Sequence, residues 1–209
     1  MKNCLICGHK VVAKGLCNKH YLQDRYRGGI KRSVRDSNIF TVQGDICTIV
    51  IFDKFGNKKH EAIVDASDYP VVKEHKWFSA KTKIGLWYVK TMVGRKILPI
   101  HRLVLKDQVK NGFDVDHINL DTFDNRRANL RVCTRSENRS NSKKIKRVTS
   151  SPYKGVSLFK QLNKWRAEVV KDRKLHYLGL FNSEIEAALA YNEAAKKYHG
   201  EYAYLNMVN

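Results

Sequence analysis

The sequence predicts an α+β protein that is built from several small modules in a row. The chain has 209 residues, which is enough for one large domain or two to three small ones. Short β-type runs fill two separate stretches, one helical pattern lies near the end, and the composition changes along the chain. These observations favour small modules, with candidate boundaries at residues 1–35, 36–100, 101–141, 142–152 and 153–209.

The composition is strongly basic. Lys and Arg number 40 against 20 Asp and Glu, so the formal net charge is +20. Such a charge favours a polyanionic partner, either a nucleic acid or an anionic membrane surface. The sequence shows no long apolar run, no lipid-facing amphipathic helix and no signal-peptide core. We therefore expect a cytoplasmic protein that is not secreted, binds no membrane and has a nucleic acid as its partner.

The first module, residues 1–35, begins with a cluster of metal-ligand residues. Cys4 and Cys7 form one pair and Cys17 and His20 another, with two residues between the members of each pair. Two such pairs joined by a short loop can surround one tetrahedral Zn²⁺, whose binding would supply the folding free energy of so short a segment. We expect a zinc knuckle with a structural or DNA-tethering role, followed by a basic tether. Unpaired thiols in a flexible tail are the alternative.

Residues 36–100 predict a strand-rich module with two hairpins. Ser67 or Asp68 is expected to cap a short helix that ends near Lys73. His101, directly after this module, is expected to be a packed or capping residue rather than a catalytic one. The two expected hairpins comprise residues 46–64, with a turn at 53–57, and residues 86–100, with a turn at Gly94.

Residues 101–141 contain an acid, a histidine and an asparagine at a spacing that suits phosphodiester hydrolysis. Asp116 and His117 are adjacent at the end of an extended run, and Asn138 follows twenty-one residues after His117. Adjacent side chains on an extended chain point to opposite faces, so Asp116 can hold a metal ion while His117 acts on a phosphate. Asn138 would add a second oxygen ligand, and such a pair suits Mg²⁺. Taken alone, an Asp-His pair is more often a turn or a surface contact.

The same segment resembles the HNH homing endonucleases of phages and introns. The resemblance implies a ββα-metal fold in which His117 is the general base and Asp116 and Asn138 bind one Mg²⁺ or Mn²⁺ ion. It also implies that Asn129 holds the base-bearing loop through hydrogen bonds. The last letter of the name HNH denotes a histidine, whereas this sequence has Asn138 at that position. The resembling runs are residues 115–119, 124–131 and 136–138.

Residues 142–152 are a basic linker by composition, and order resumes at residue 153. Three aromatic and β-branched runs predict three strands, and a helix follows from Ser183 to about His199. Ser183 and Glu186 have the spacing of a capping box, and Gly200 stands where a glycine often ends a helix. The last module is therefore expected to be a three-stranded sheet with one helix.

The C-terminal module resembles the plant ethylene-response-factor (APETALA-type) DNA-binding domain. The resemblance implies that the sheet lies in the DNA major groove while the helix supports its back. Strand alternation places Trp165, Ala167 and Val169 on one face and Arg166 and Glu168 on the face toward DNA. A small packing module with solvated charges is the alternative. The resembling runs are residues 153–156, 164–169 and 177–181.

These modules together predict a site-specific endonuclease that acts on double-stranded DNA as a free-standing homing enzyme. The modules differ and follow one another like contacts on an asymmetric site, which favours a monomer. A non-catalytic DNA-binding regulator is the main alternative, and an RNA-binding protein is a weaker one. The expected DNA contacts are Arg126, Arg127, Arg131, Lys143, Lys144, Lys146, Arg147, Lys154, Lys160, Lys164, Arg166, Glu168, Lys171 and Arg173.

Overall fold

The computed structural model describes residues 3, 4, 6, 7, 9–26, 29, 36–144 and 150–208 and divides into two compact units. None of the helices in this described part has the length and apolar composition needed to cross a membrane. Lys146 and Arg147 lie outside the described residues. The first unit comprises Met1–Asp107 and Asp121–Leu130, and the second comprises Gln108–Leu120 and Arg131–Asn209.

Mixed α and β elements run along the chain, as the sequence predicts. The helices are α1 (Asn18–Tyr26), α2 (Tyr69–Val72), α3 (Ile100–Val104), α4 (Arg135–Asn141) and α5 (Glu184–His199). The strands are β1 (Ile39–Gln43), β2 (Ile46–Phe52), β3 (Lys58–Asp65), β4 (Phe78–Lys81), β5 (Trp87–Val93), β6 (Lys96–Pro99), β7 (Asp114–His117), β8 (Leu130–Cys133), β9 (Val156–Phe159), β10 (Lys164–Lys171) and β11 (Lys174–Phe181).

The first unit contains two antiparallel sheets, in the orders β1-β2-β3 and β4-β5-β6. Both expected hairpins are confirmed, because β2 pairs with β3 and β5 pairs with β6. Alternate residues of β2, including Ile49 and Ile51, are fully buried and give this strand its clear pattern. The third strand of each sheet was not expected: β1 is almost entirely exposed and β4 has four residues, so neither shows alternation.

The short helix in the first unit forms without the expected side-chain cap. A 3₁₀ turn at Ala66–Asp68 precedes α2, and Asp68 makes no capping hydrogen bond. Its carboxylate instead accepts hydrogen bonds from Arg127 Nε and Nη2, at 3.1 and 2.7 Å. His101 on α3 is buried and packs edge-on against Tyr88, in agreement with the packing role expected for it.

The second unit contains a two-stranded sheet, β7-β8, and a three-stranded sheet in the order β11-β10-β9. Helix α5 packs on the three-stranded sheet, and its buried Ala187 and Ala188 allow close approach to Val156 and Ala167. Both capping-box hydrogen bonds of α5 are present, which confirms that prediction. The first strand begins at Val156 rather than near residue 153, because the preceding residues form a turn.

Gly155 in that turn is fixed by close packing. Its φ is +75°, a conformation that side chains rarely adopt. A Cβ there would overlap the Tyr191 ring of α5 and the carbonyl oxygen of Glu168 on β10. The position therefore admits only glycine and sets the distance at which the helix packs on the sheet.

Candidate active site and metal centre

Four ligand atoms converge in the N-terminal segment of the first unit. The sulfur atoms of Cys4, Cys7 and Cys17 and a ring nitrogen of His20 all lie within 4.8 Å of one another, and all four residues are buried. The distances are 3.5 Å from Cys4 Sγ to His20 Nδ1, 3.4 Å from Cys17 Sγ to His20 Nδ1 and 3.5 Å between Cys7 Sγ and Cys17 Sγ. A tetrahedral ion with Zn–S bonds of about 2.3 Å requires ligand separations of about 3.5–3.8 Å. The cluster therefore fits Zn²⁺.

A carboxylate behind the histidine supports the same fit. His20 turns Nδ1 toward the sulfur atoms, while its Nε2 lies 3.4 Å from Asp36 Oδ2. Asp36 is itself buried and its other oxygen accepts a 2.7 Å hydrogen bond from Lys19 Nζ. A carboxylate on the far nitrogen fixes the tautomer and the direction of a metal-ligating imidazole. The sequence gives no signal for Asp36, because it lies sixteen residues beyond the last ligand.

The thiol groups of the cluster differ in acidity. Burial raises the pKa of Cys7 to about 11. Burial would also raise the pKa of Cys4. Hydrogen bonds from the backbone of Cys17 and Ile6 outweigh this effect, and the pKa of Cys4 is lowered to about 6. A bound cation would stabilise the thiolate form of all three cysteines, since metal binding and thiol deprotonation are coupled.

Helix α4 positions the second group of polar side chains. It begins at a capping box in which Thr134 Oγ1 accepts from the Glu137 N–H at 3.3 Å and the Glu137 carboxylate accepts from the Thr134 N–H at 2.7 Å. Residues three apart on a helix share a face, so Asn138 and Asn141 point the same way. The two amides meet alternate residues of β7: Asn138 Nδ2 lies 3.4 Å from Asp114 Oδ2, and Asn141 Nδ2 lies 2.8 Å from an oxygen of Asp116.

The carboxylate of Asp116 is held through one of its two oxygens. Oδ2 accepts hydrogen bonds from Arg131 Nε at 3.1 Å, Arg131 Nη2 at 2.9 Å and Asn141 Nδ2 at 2.8 Å. None of these three bonds uses Oδ1. Asn138 is held in a similar way, since its nitrogen donates to Asp114 while its amide oxygen points elsewhere. A carboxylate oxygen and an amide oxygen are both ligand types that a hard divalent cation accepts.

His117 follows Asp116 on β7 and is buried, with 4% of its surface exposed. Alternation along the strand sends its side chain to the face opposite Asp116. Its backbone carbonyl accepts a 3.1 Å hydrogen bond from Asn141 Nδ2. The buried amide of Asn141 thus links the acid to the main chain of the histidine. The contact of Asn141 was not predicted, although its position three residues after Asn138 on a helix was a usable signal.

Comparisons with known proteins identify the segment around this cluster. The HNH endonuclease family model matches residues 99–140. An uncharacterized HNH endonuclease of Acanthamoeba polyphaga mimivirus is 30% identical over 167 residues, which is 78% of this chain and 84% of that protein. The chain belongs to the HNH endonuclease family. This confirms the enzyme class predicted from the sequence, whereas the roles of single residues stay predictions.

Two arginines of the HNH endonuclease that were expected to contact DNA have carboxylate partners in the first unit. Arg126 donates to Asp124 from Nε and Nη2, both at 2.8 Å, and Arg127 makes its paired contact with Asp68. Asn129 is buried and donates from Nδ2 to the backbone oxygen of Asp124 at 2.7 Å. Each arginine side chain keeps 40% or more of its surface exposed, so a phosphate can still reach it.

Arg131 of the HNH endonuclease is much less accessible. Only 11% of its side chain is exposed, and it forms the ion pair with Asp116. Its Nη1 also donates to the backbone oxygen of Glu201 at 2.8 Å, and its guanidinium lies 4.1 Å from the centre of the Tyr202 ring. The sequence suggested a phosphate contact here, because nothing in its pattern reveals a partner seventy residues away.

Two lysines expected to contact DNA are occupied by backbone carbonyls. Lys154 Nζ donates to the carbonyl oxygens of Arg139, Ser140 and Ser142, at 3.2, 2.7 and 2.7 Å, at the C-terminal end of α4. Burial lowers the pKa of Lys154 to about 8. Lys144 Nζ likewise donates to the carbonyl oxygens of Ser151, Tyr153 and Val156 at 2.9–3.0 Å.

The outer face of the three-stranded sheet carries the remaining expected contacts. Trp165, Ala167 and Val169 face α5 as the alternation predicts. On the outer face Arg166 and Glu168 form a 3.3 Å ion pair. Apolar side chains next to this pair are open to solvent: Val170 is 56% exposed and Tyr177 60%. Among the other expected contacts, Lys143, Lys160 and Arg173 are exposed, and Lys164 and Lys171 are partly exposed.

Plant transcription factors match a smaller part of the HNH endonuclease. APETALA2-like protein 2 of Oryza sativa subsp. indica is 42% identical over 59 residues, which is 27% of this chain and 13% of that protein. An AP2-like ethylene-responsive transcription factor of Arabidopsis thaliana is 36% identical over 67 residues, or 32% of this chain and 14% of that protein. No solved structure matches the chain. The likeness to plant factors thus covers one segment only.

Proposed function

We propose that this HNH endonuclease is a site-specific homing endonuclease that cuts double-stranded DNA with one Mg²⁺ ion, for which Mn²⁺ can substitute. The observation that carries the proposal is the fixed orientation of Asp116 through Oδ2 and of Asn138 through Nδ2. Each group retains one side-chain oxygen for the ion. When bound, the ion supplies positive charge that stabilises the phosphate oxygens as the bond breaks.

His117 acts as the general base in this proposal. It takes a proton from the attacking water, a role that needs a neutral imidazole at neutral pH. The hydrogen bond from Asn141 to the His117 carbonyl supports a fixed position of the base. Asn129 serves as a holding residue for the loop that bears the base, the role that the resemblance to HNH homing endonucleases implies.

The C-terminal sheet provides DNA recognition. Its outer face combines Arg166 and Glu168 with the exposed Val170 and Tyr177, and this mixture of charged and apolar groups suits the edges of bases in a major groove. The exposed Lys143, Lys160 and Arg173 would contact phosphates. The accessible side chains of Arg126, Arg127, Lys164 and Lys171 would add further phosphate contacts. The Cys4, Cys7, Cys17 and His20 cluster binds Zn²⁺ and stabilises the N-terminal knuckle.

Cleavage of a supercoiled plasmid tests the proposal. Selection of cut sites from a random duplex library supplies the target, and binding is followed separately by gel shift in Ca²⁺. We expect cleavage with Mg²⁺ or Mn²⁺ and none in EDTA. His117→Ala should slow cleavage by about 10²–10⁴-fold while DNA binding is retained. The surface change Gln161→Ala is the control, and equal loss of binding and cutting in His117→Ala would contradict the assigned base. A chain that binds DNA but never cuts it would favour the regulator instead.

The order in which cleavage products appear in the same assay tests whether the enzyme acts as a monomer. One nuclease centre can attack one phosphate at a time, so open circles should accumulate before linear DNA at excess enzyme. Direct appearance of linear DNA with second-order dependence on enzyme would show that two chains act together.

A further inference from the structure

Arg131 connects the nuclease strand to the C-terminal module inside the second unit. Two of its nitrogens donate to Asp116 Oδ2, and the third donates to the Glu201 carbonyl in the turn at Gly200–Tyr202. The Glu201 carboxylate lies 3.7 Å from the same guanidinium. The central carbon of the guanidinium lies over the Tyr202 ring, 4.1 Å from the ring centre. All three guanidinium nitrogens of Arg131 thus donate, two of them to Asp116 and one to Glu201.

This arrangement restricts the carboxylate in a way that a lysine cannot. A guanidinium is planar and presents its N–H groups at fixed angles, whereas an ammonium is a point charge on a flexible stem. The contact with Tyr202 limits the movement of the guanidinium, and its two bonds to Oδ2, together with the Asn141 bond to the same atom, restrict the rotation of the Asp116 carboxylate. The low exposure of Arg131 reduces screening by water and salt.

We propose that Arg131 is a positioning residue of the nuclease centre and that the turn of the C-terminal module, through Tyr202, is its support. Arg131 directs Asp116 Oδ1 toward the divalent ion, so the C-terminal module contributes to metal binding as well as to DNA recognition. The inference rests on the proposed function, because it takes Asp116 to be a metal ligand.

Direct measurement of Mn²⁺ binding separates this role from catalysis. The probe is Mn²⁺ alone, added to the zinc-loaded full chain without DNA, with free Mn²⁺ measured by electron paramagnetic resonance. We expect one site that Asp116→Asn abolishes. Arg131→Lys keeps the charge but removes the planar contact, and it should weaken Mn²⁺ binding about 10–100-fold. Arg135→Lys, an exposed change on α4, is the matched control and should bind like the wild type.

A second pair of variants changes Tyr202, which contacts Arg131 and is not a proposed metal ligand. Tyr202→Ala removes the ring beneath the guanidinium and should weaken Mn²⁺ binding in the same direction as Arg131→Lys. Tyr202→Phe keeps the ring and should restore wild-type binding. These two variants also guard against the case in which Arg131→Lys fails to fold.

The Mn²⁺ measurements test the positioning role of Arg131 and the proposed metal site separately. Wild-type Mn²⁺ affinity in both Arg131→Lys and Tyr202→Ala would overturn the positioning role and leave the proposed endonuclease intact. A wild-type chain without a Mn²⁺ site sensitive to Asp116→Asn would refute the proposed metal site, and the positioning role with it.

Discussion

The two polar clusters of this HNH endonuclease differ in the number of metal-ligand atoms that they offer. In the first unit, four buried ligand atoms lie within 4.8 Å of one another, which is the number that a tetrahedral Zn²⁺ requires. In the second unit, Asp116 and Asn138 offer one oxygen each and are held from behind by Arg131 and Asp114. A closed set of four ligands leaves no place for substrate, whereas an incomplete set leaves coordination positions for water and phosphate. Supporting contacts occur in both clusters, since Asp36 lies behind His20 as Arg131 lies behind Asp116. The number of ligand atoms that the protein supplies is therefore what distinguishes a reactive centre from a structural one.

Loss of one ligand from the Cys/His cluster should change the protein most. Cys17→Ser should reduce bound zinc from one ion per chain to none and unfold the N-terminal segment. Zinc binding by short peptides contributes about 10–16 kcal/mol at neutral pH, far more than the small cluster around Leu16 can supply. Elemental analysis measures the zinc, and hydrogen exchange measures the protection of residues 9–26. Protection of β9 to β11 in the second unit should not change. Retention of zinc by the Cys17→Ser variant would contradict the prediction that all four ligands of this cluster are needed.

An intermediate effect is expected at the open cluster. Asn141→Leu removes the amide that bonds to Asp116 and to the His117 carbonyl. A buried polar group left without its partner costs about 1–3 kcal/mol, so the free energy of unfolding of the second unit should fall by about that amount. Urea unfolding measures the change, and cleavage should fall with it while bound zinc stays at one ion. The exposed change Gln161→Leu is the control. Unchanged stability and cleavage in Asn141→Leu would show that Asp116 needs no support from α4.

A weaker change, a pH dependence of stability, should arise at the start of α4. The Thr134 backbone N–H and hydroxyl donate to the Glu137 carboxylate and lower its pKa. A depressed carboxyl pKa adds stability above the unfolded value of about 4.3, and this stability is lost as the pH falls through the folded pKa. Glu137→Gln keeps an acceptor but not the charge at the helix N-terminus, which is worth about 0.3–1 kcal/mol. The difference between wild type and variant in urea unfolding should therefore be constant above about pH 5 and shrink in acid. A difference that does not change with pH would mean that the charge contributes nothing.

Local sequence patterns predicted many of the secondary-structure elements and the Cys/His cluster, but they did not predict contacts between residues far apart in the sequence. The hairpins, the Ser183 capping box and the Cys/His cluster depend on residues close in sequence, so spacing alone was informative. Strands β1 and β4 lack alternation because their side chains are mostly exposed or partly buried. Arg131 and Asp36 gave no sign of their partners, since an isolated charge in a basic sequence looks the same whether it meets solvent, phosphate or a buried acid.

Lys154 joins the last turn of α4 to the C-terminal sheet through three carbonyl contacts. The sequence pattern of separate modules suggests that the C-terminal module could be exchanged freely between nucleases. A chimera that carried a foreign module after residue 152 would lose this ammonium and leave the α4 carbonyls without this donor. Exchange of modules, in evolution or in the laboratory, would therefore preserve these contacts only if the α4 helix and the sheet moved together.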